Sequence, residues 1–289
     1  IYFISADFGA PALDQFREKL PDQFIHAGIS EQNMIDVAAG LSLAGNRVYV
    51  YAMAPFITLR CYEQLKCSLA MMNLPITVIA VGPGLGYADA GPTHYLTEDF
   101  ACLRALVQCE VYSASDSIMS KELAELTYQV PALRIIRLDR NSSPDIYSKY
   151  RLDLKRGFSE LYSGDDTCIV SYGYTLQKIL KNYENIANGR KIGVIDFFKA
   201  KYVDLKECEK LFTKYKNIVT VEEQTLSGGL GSLVLEIISD LGMKKIVQRI
   251  GLEERYYFEN GGRDFLLEKF GLSANRIRTA VENAVKLAN

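Results

Sequence analysis

Gly28-Ile29-Ser30-Glu31-Gln32-Asn33-Met34 is the stretch on which the reading of this chain turns. An apolar, strand-like piece, residues 24–27, runs into it, and beyond it Met34, Val37, Ala38 and Leu41 recur at helical spacing. The heptapeptide is therefore a strand-to-helix turn with a carboxylate, Glu31, in the first helical turn. A carboxylate there can simply complement the helix dipole. Its neighbours offer a second role: Gly28, Ala38, Ala39 and Gly40 are small and the residues around them mostly apolar, which favours burial. A buried carboxyl holds its proton more tightly and can share it with a ring nitrogen.

Outward from this turn the pattern alternates. Residues 1–4 read as a strand, 11–20 as a short helix, 47–52 as a strand, 56–72 as one long helix and 76–81 as a buried strand. A helix over 96–106, a strand over 110–115, a helix over 117–129 and a strand over 132–138 follow. Strands separated by helices of ten or so residues imply βαβ units and a mostly parallel sheet. From 139 to 166 the pattern loosens, and 146–164 reads as a linker. The alternation then restarts, with strands at 168–172, 192–197, 218–222 and 246–250, intervening helices, and a terminal helix over 274–288. The expected fold class is α/β: two domains, 1–145 and 165–289, each a mostly parallel sheet flanked by helices. A chain of 289 residues is long enough for two cores. Gly82-Pro83-Gly84-Leu85-Gly86 lacks the spacing of a dinucleotide fingerprint and reads instead as a loop that needs unusual backbone angles.

Composition narrows the class. The net charge of −2, with no dense Lys/Arg block, gives no footprint for a phosphate backbone, so nucleic acid is not an expected partner. No apolar run approaches the ~20 residues that span a bilayer, and no membrane association is expected. Cys61, Cys67, Cys102, Cys109, Cys168 and Cys208 show no metal-ligand spacing and fit free thiols in a reducing cytoplasm. The sequence opens on Ile1 rather than Met, which leaves open a segment ahead of it.

Taken with Tyr51-Ala52-Met53-Ala54-Pro55-Phe56-Ile57-Thr58-Leu59-Arg60-Cys61-Tyr62 and with Gly91-Pro92-Thr93-His94, the Glu31 motif resembles the pyrimidine-binding domain of the transketolase family of thiamine diphosphate enzymes in wording, order and spacing. Val221-Glu222-Glu223-Gln224, followed by Gly228-Gly229-Leu230-Gly231-Ser232, resembles that family's C-terminal domain, so the likeness covers nearly the whole chain. The resemblance implies thiamine diphosphate and Mg2+ as cofactors. It places Glu31 at the glutamate that hydrogen-bonds a pyrimidine ring nitrogen, and Asp7 in a loop near the cofactor. It also implies aromatic flanks for the pyrimidine: Phe56 and Tyr62 keep their aromatic character, whereas Leu59 stands where a phenylalanine commonly stacks. His94, one of two histidines, falls at a position facing the substrate, where it can bond substrate oxygens and help move protons. By their residue types alone, Phe56 and Tyr62 fit a core, His94 a turn and Asp7 a helix cap. His26 has no such support and is read as structural.

Departures from the family pattern carry information too. An acidic residue that bonds a sugar hydroxyl in the family is replaced by Ala90, and the loop at Gly82-Pro83-Gly84 lacks a phosphate-binding cation. Arg140 resembles the family's other phosphate-contacting arginine. These changes point to a substrate unlike the usual pentose phosphates, such as a modified or nucleotide-linked sugar. The family's Gly-Asp-Gly motif for metal and diphosphate is missing; Gly164-Asp165-Asp166 has no third glycine. The resemblance therefore implies one half of a split enzyme that transfers a two-carbon ketol unit between sugars. A separate subunit would carry the diphosphate-binding domain and most of the Mg2+ site, in a heterotetramer. Two alternatives share the glutamate and the domain order: the beta subunit of a 2-oxo acid dehydrogenase, and an enzyme like deoxyxylulose-phosphate synthase. A non-catalytic scaffold half is a third, and the retained Glu31 and His94 weigh against it.

Overall fold

The structure, a computed structural model, describes residues 1–6 and 9–288. Among them, β1 (Tyr2–Ala6), β2 (Phe24–Gly28), β3 (Val48–Met53), β4 (Ile76–Val81), β5 (Glu110–Ser113) and β6 (Arg134–Leu138) form an all-parallel sheet in the order β2-β1-β3-β4-β6-β5. One face of the central strands is apolar and covered by packing: Ile4, Val50, Ile76, Val78, Ala80 and Ile135 are all shielded from water. Because β2 lies on one side of β1 and β3 on the other, a crevice opens at the carboxyl ends of β1 and β3. Open parallel sheets bind their ligands at such a reversal.

The second sheet comprises β7 (Ser159–Tyr162), β8 (Thr167–Ser171), β9 (Gly193–Asp196), β10 (Asn217–Thr225) and β11 (Ile246–Leu252) in the order β11-β10-β8-β9-β7. It is parallel except for β7, which runs antiparallel to β9. The α/β architecture with two mostly parallel sheets is thus the one expected. The two halves share packing: one apolar cluster runs from Ile4 and Val50 to Phe197 and Ile218. Backbone bonds join them as well, with Ala200 N–H donating to Val111 O and Ser113 N–H to Phe198 O, both at 2.8 Å.

Three local expectations are corrected. Strand β7 lies inside the 146–164 segment read as linker; only four residues long, with Ser159 and Leu161 inward, it is too short and too polar to show a strand period. A helix over Arg263–Lys269 was not foreseen, because it is short and opens after Gly261-Gly262 rather than after a capping side chain. The long helix expected over 56–72 is broken. A single turn, Ala54–Ile57, ends at Thr58, whose hydroxyl bonds back to Ala54 O at 2.6 Å. The chain then resumes at Tyr62–Gln64 and widens into a π turn over Leu65–Ala70. Such irregular turns often accompany functional sites.

Candidate active site

Strand β2 ends at Gly28, whose φ of +71° suits glycine. Ser30 closes the turn, its hydroxyl donating to Ala27 O at 2.7 Å. The helix Glu31–Leu43 begins at once and buries Met34, Ile35, Ala38 and Ala39 against the sheet. This geometry drives Glu31 inward, to a side chain only 6% exposed, as its small neighbours suggested. Its carboxylate Oε2 accepts a hydrogen bond from Nη1 of Arg60 at 3.0 Å.

Arg60 leads to the other residues. Its guanidinium carbon lies 4.1 Å from the centroid of the Phe56 ring, and its backbone oxygen takes a hydrogen bond from the Gln32 side chain at 3.3 Å. The His94 ring meets Phe56 edge-on, with centroids 5.2 Å apart. Thr93 Oγ1 sits 3.0 Å from His94 Nδ1, which leaves Nε2 for another partner. Tyr87 lies 6.3 Å from His94, Arg140 stacks over Tyr87 at 4.8 Å, and Arg140 pairs with Asp89 at 2.6 Å. Glu31, Arg60, Phe56, His94, Tyr87, Arg140 and Asp89 therefore form one line of contacts, drawn from segments that follow β2, β3, β4 and β6. Burial pushes the Tyr87 hydroxyl up to about 12, so it stays protonated. The Arg140 hydrogen bond holds the Asp89 carboxyl below the ordinary range.

The structure thus brings Glu31, Phe56, His94 and Arg140 together. Leu59 and Tyr62, on the same segment, are partly buried and pack against the apolar core, and the Tyr62 hydroxyl donates to Cys102 O at 2.9 Å. Asp7 lies outside the described residues. His26 is exposed on β2. Arg60, Tyr87 and Asp89 were not singled out in the sequence. Arg60 carried a faint signal as a charge within an otherwise apolar run, but its direction depends on the break after Ile57.

The loop that carries His94 is braced from the second half. Gly82 and Gly84 have φ of +78° and +65°, as the Gly-rich run implied. A Cβ on Gly82 would lie 2.2 Å from the Tyr87 ring, and one on Gly84 2.7 Å from the Glu223 carboxyl. Glu223 Oε1 accepts from Leu85 N–H at 3.1 Å, and the same carboxylate is gripped by Arg263, which also reaches Asp139. Gln224 donates to Leu96 O at 2.9 Å. Glu222 turns the other way and accepts from Leu230 and Gly231 N–H at 2.5 and 2.8 Å; burial nevertheless pushes its carboxyl up to about 7. The Glu222-Glu223-Gln224 run is thus a clamp joining the His94 loop to a helix start.

A buried carboxylate beside an aromatic face suits a planar, nitrogen-bearing heterocycle, which can stack on the ring and donate an N–H to the acid. No three His, Cys, Asp or Glu side chains able to hold a metal ion lie together among the described residues. Nor is any helix there long and apolar enough to cross a membrane.

Residues 1–145 match the family model for the pyrimidine binding domain of transketolase, and residues 159–277 the model for the transketolase C-terminal domain. A 1-deoxy-D-xylulose-5-phosphate synthase of Aquifex aeolicus is 30% identical over 95% of this chain, but the chain spans only 44% of that protein. An apulose-4-phosphate transketolase subunit from Phocaeicola vulgatus is 28% identical, with 95% of this chain and 88% of that one covered. A putative transketolase C-terminal section of Methanocaldococcus jannaschii is 27% identical, with 96% and 88% covered. Among solved structures, a split-gene transketolase described as an inactive β4 tetramer superposes with a TM-score of 0.86 at 27% identity, covering 100% of this chain and 93% of that one. A transketolase variant from Pichia stipitis, at 18% identity and a TM-score of 0.78, shares the fold; 99% of this chain matches 43% of it.

Proposed function

The chain belongs to the transketolase family, and from that premise we propose that it is the pyrimidine-binding and C-terminal subunit of a split, thiamine diphosphate-dependent transketolase-like enzyme. It moves a two-carbon ketol unit between sugars, and it works with a second polypeptide that carries the diphosphate-binding half. The observation that carries this reading is the buried Glu31 carboxylate beside Phe56 and His94, at the crevice where the first sheet reverses its strand order.

When bound, thiamine diphosphate supplies the nucleophilic carbon and the electron sink for breaking a carbon–carbon bond next to a carbonyl. The protein's share is holding and proton handling. Glu31 holds a proton between its carboxyl and the pyrimidine ring nitrogen, and its burial keeps water from competing for that hydrogen bond. Phe56 gives the heterocycle an aromatic face, while Leu59 and Tyr62 support that segment from the core. His94, with Thr93 at Nδ1, presents Nε2 to the oxygens of the sugar. Arg140 and Asp89 mark its far end. Asp7 is proposed for the cofactor side by family likeness alone.

The diphosphate and Mg2+ fall to the partner subunit. Supporting this, the two relatives covered to 88% of their own length are named as a transketolase subunit and a transketolase C-terminal section. Two copies of each subunit in a heterotetramer would complete two sites. The replaced acid at Ala90 and the cation-free Gly82-Pro83-Gly84 loop support a modified or nucleotide-linked sugar. Six free thiols, four of them buried, support a reducing cytoplasm.

The test is to co-express the chain with the gene product carrying the diphosphate-binding domain, add thiamine diphosphate and Mg2+, and analyse products from ketose and pyruvate donors by mass spectrometry. Ketol transfer by the mixture and by neither chain alone is expected, with Glu31→Gln lowering turnover by at least ~10²-fold. Consumption of pyruvate with loss of CO2 would move the assignment to the synthase or dehydrogenase class. Full activity in Glu31→Gln would remove the catalytic reading altogether.

A further inference from the structure

Arg60 does two things at once. Its guanidinium lies on the face of Phe56, 4.1 Å from the ring centroid, and from there Nη1 reaches the buried Oε2 of Glu31 at 3.0 Å. Those are also the two contacts that the proposed function asks of a heterocycle in this site. A guanidinium is planar and presents an N–H donor in its own plane, as a pyrimidine ring nitrogen does when it shares a proton with a carboxyl group. Any planar donor that stacks on this face of Phe56 and bonds Glu31 must fill the volume the guanidinium fills.

We propose that Arg60 is an internal stand-in for the cofactor's aminopyrimidine, and that the cofactor enters by displacing it from Glu31 and Phe56. The inference rests on the assignment of those two residues to the pyrimidine site. The side chain can leave: it is 43% exposed, and it sits where the chain between two short helical turns is irregular. The contact gives the buried carboxyl group a cationic partner, so it is not left alone in the protein interior. The competition is modest because the pair is open to solvent on the Arg60 side. A half-exposed ion pair and one cation–π contact together lower the apparent affinity of a competing ligand about tenfold.

Titration calorimetry of thiamine diphosphate into the two-chain complex tests this, with wild type, Arg60→Ala and Arg60→Lys compared. Arg60→Ala is expected to bind about tenfold more tightly. Arg60→Lys keeps the charge near Glu31 but cannot lie flat on Phe56, and should fall between the two. The alcohol of the aminopyrimidine moiety, 4-amino-5-hydroxymethyl-2-methylpyrimidine, reports on this slot without the diphosphate and should gain by a similar factor. Equal or weaker binding in Arg60→Ala, in a variant whose melting temperature matches wild type, would overturn the displacement. A wild-type complex that binds no thiamine diphosphate would instead remove the underlying assignment, so the two failures are distinct.

Discussion

Arg137 and Asp99 form a two-pronged ion pair with both side chains fully shielded from water: Nε and Nη2 donate to the two carboxylate oxygens at 2.8 and 2.9 Å. Arg137 comes from β6 and Asp99 from the start of the helix Asp99–Ala105. The guanidinium also lies near the stacked rings of Phe100 and Tyr172, and Nη1 donates to Ser113. Tyr172 belongs to the second half, so the pair sits where the two sheets meet. Asp99→Ala leaves a buried guanidinium without its carboxylate and should cost about 3–5 kcal/mol, read from chemical denaturation. The double replacement Asp99→Leu with Arg137→Met should cost far less, because the desolvated charge goes with its partner.

Stability should fall with rising pH through a window set by two buried acids. Burial pushes Asp196 and Glu222 each up to about 7, although Tyr147 and Ser115 donate to the first and backbone N–H groups to the second. In the unfolded chain both return to near 4. Between about pH 4 and 7 the folded state therefore binds more protons, and their contribution to stability declines as pH rises, then stays level above 7. Asp196→Asn removes one of the two terms. The stability difference between wild type and this variant, followed by thermal melts across that range, should shift against wild type by about 4 kcal/mol at most. A flat difference curve would refute it.

Gly84→Ala should injure the site from a distance. The new methyl group would meet the Glu223 carboxyl at 2.7 Å in a backbone conformation with φ of +65°. Left-handed strain costs an alanine about 1–2 kcal/mol, and displacement of Glu223 loosens its hold on Leu85 N–H and Arg263. The expected result is a melting point lower by several degrees, together with a lower kcat, since the loop so braced carries His94.

Thr93→Val and His94→Ala separate orientation from chemistry. His94→Ala should lower kcat for the ketose donor by about 10²-fold while leaving the affinity for thiamine diphosphate nearly unchanged. Thr93→Val removes only the hydroxyl beside Nδ1 and should cost less, because the imidazole stays in place and loses only a group that helps choose its tautomer. Steady-state kinetics over pH for both variants decides the matter.

Much of this architecture is legible in the residues. The apolar run at Ile76–Val81 announces a buried strand, and the small residues around Glu31 foretell its burial. Glu31, Phe56 and His94 could be gathered only through resemblance, because 63 residues separate the first from the last and no local period links them. Arg60 escaped notice for a different reason. Its aim is set by the hydroxyl of Thr58 bonding back to Ala54 O and by Gln32 holding its backbone oxygen, and neither leaves a mark in hydrophobic spacing. The role of Glu223 was hidden in the same way: its partners Leu85 and Arg263 come from two distant segments, and Arg263 holds Asp139 from a third.

The backbone bonds from 198–200 to β5 carry a lesson for anyone wishing to divide this polypeptide. Severing it between the sheets would strip the outermost strand of the first one of its cover, and bare donors and acceptors would recruit any passing strand. A fragment cut there should clump.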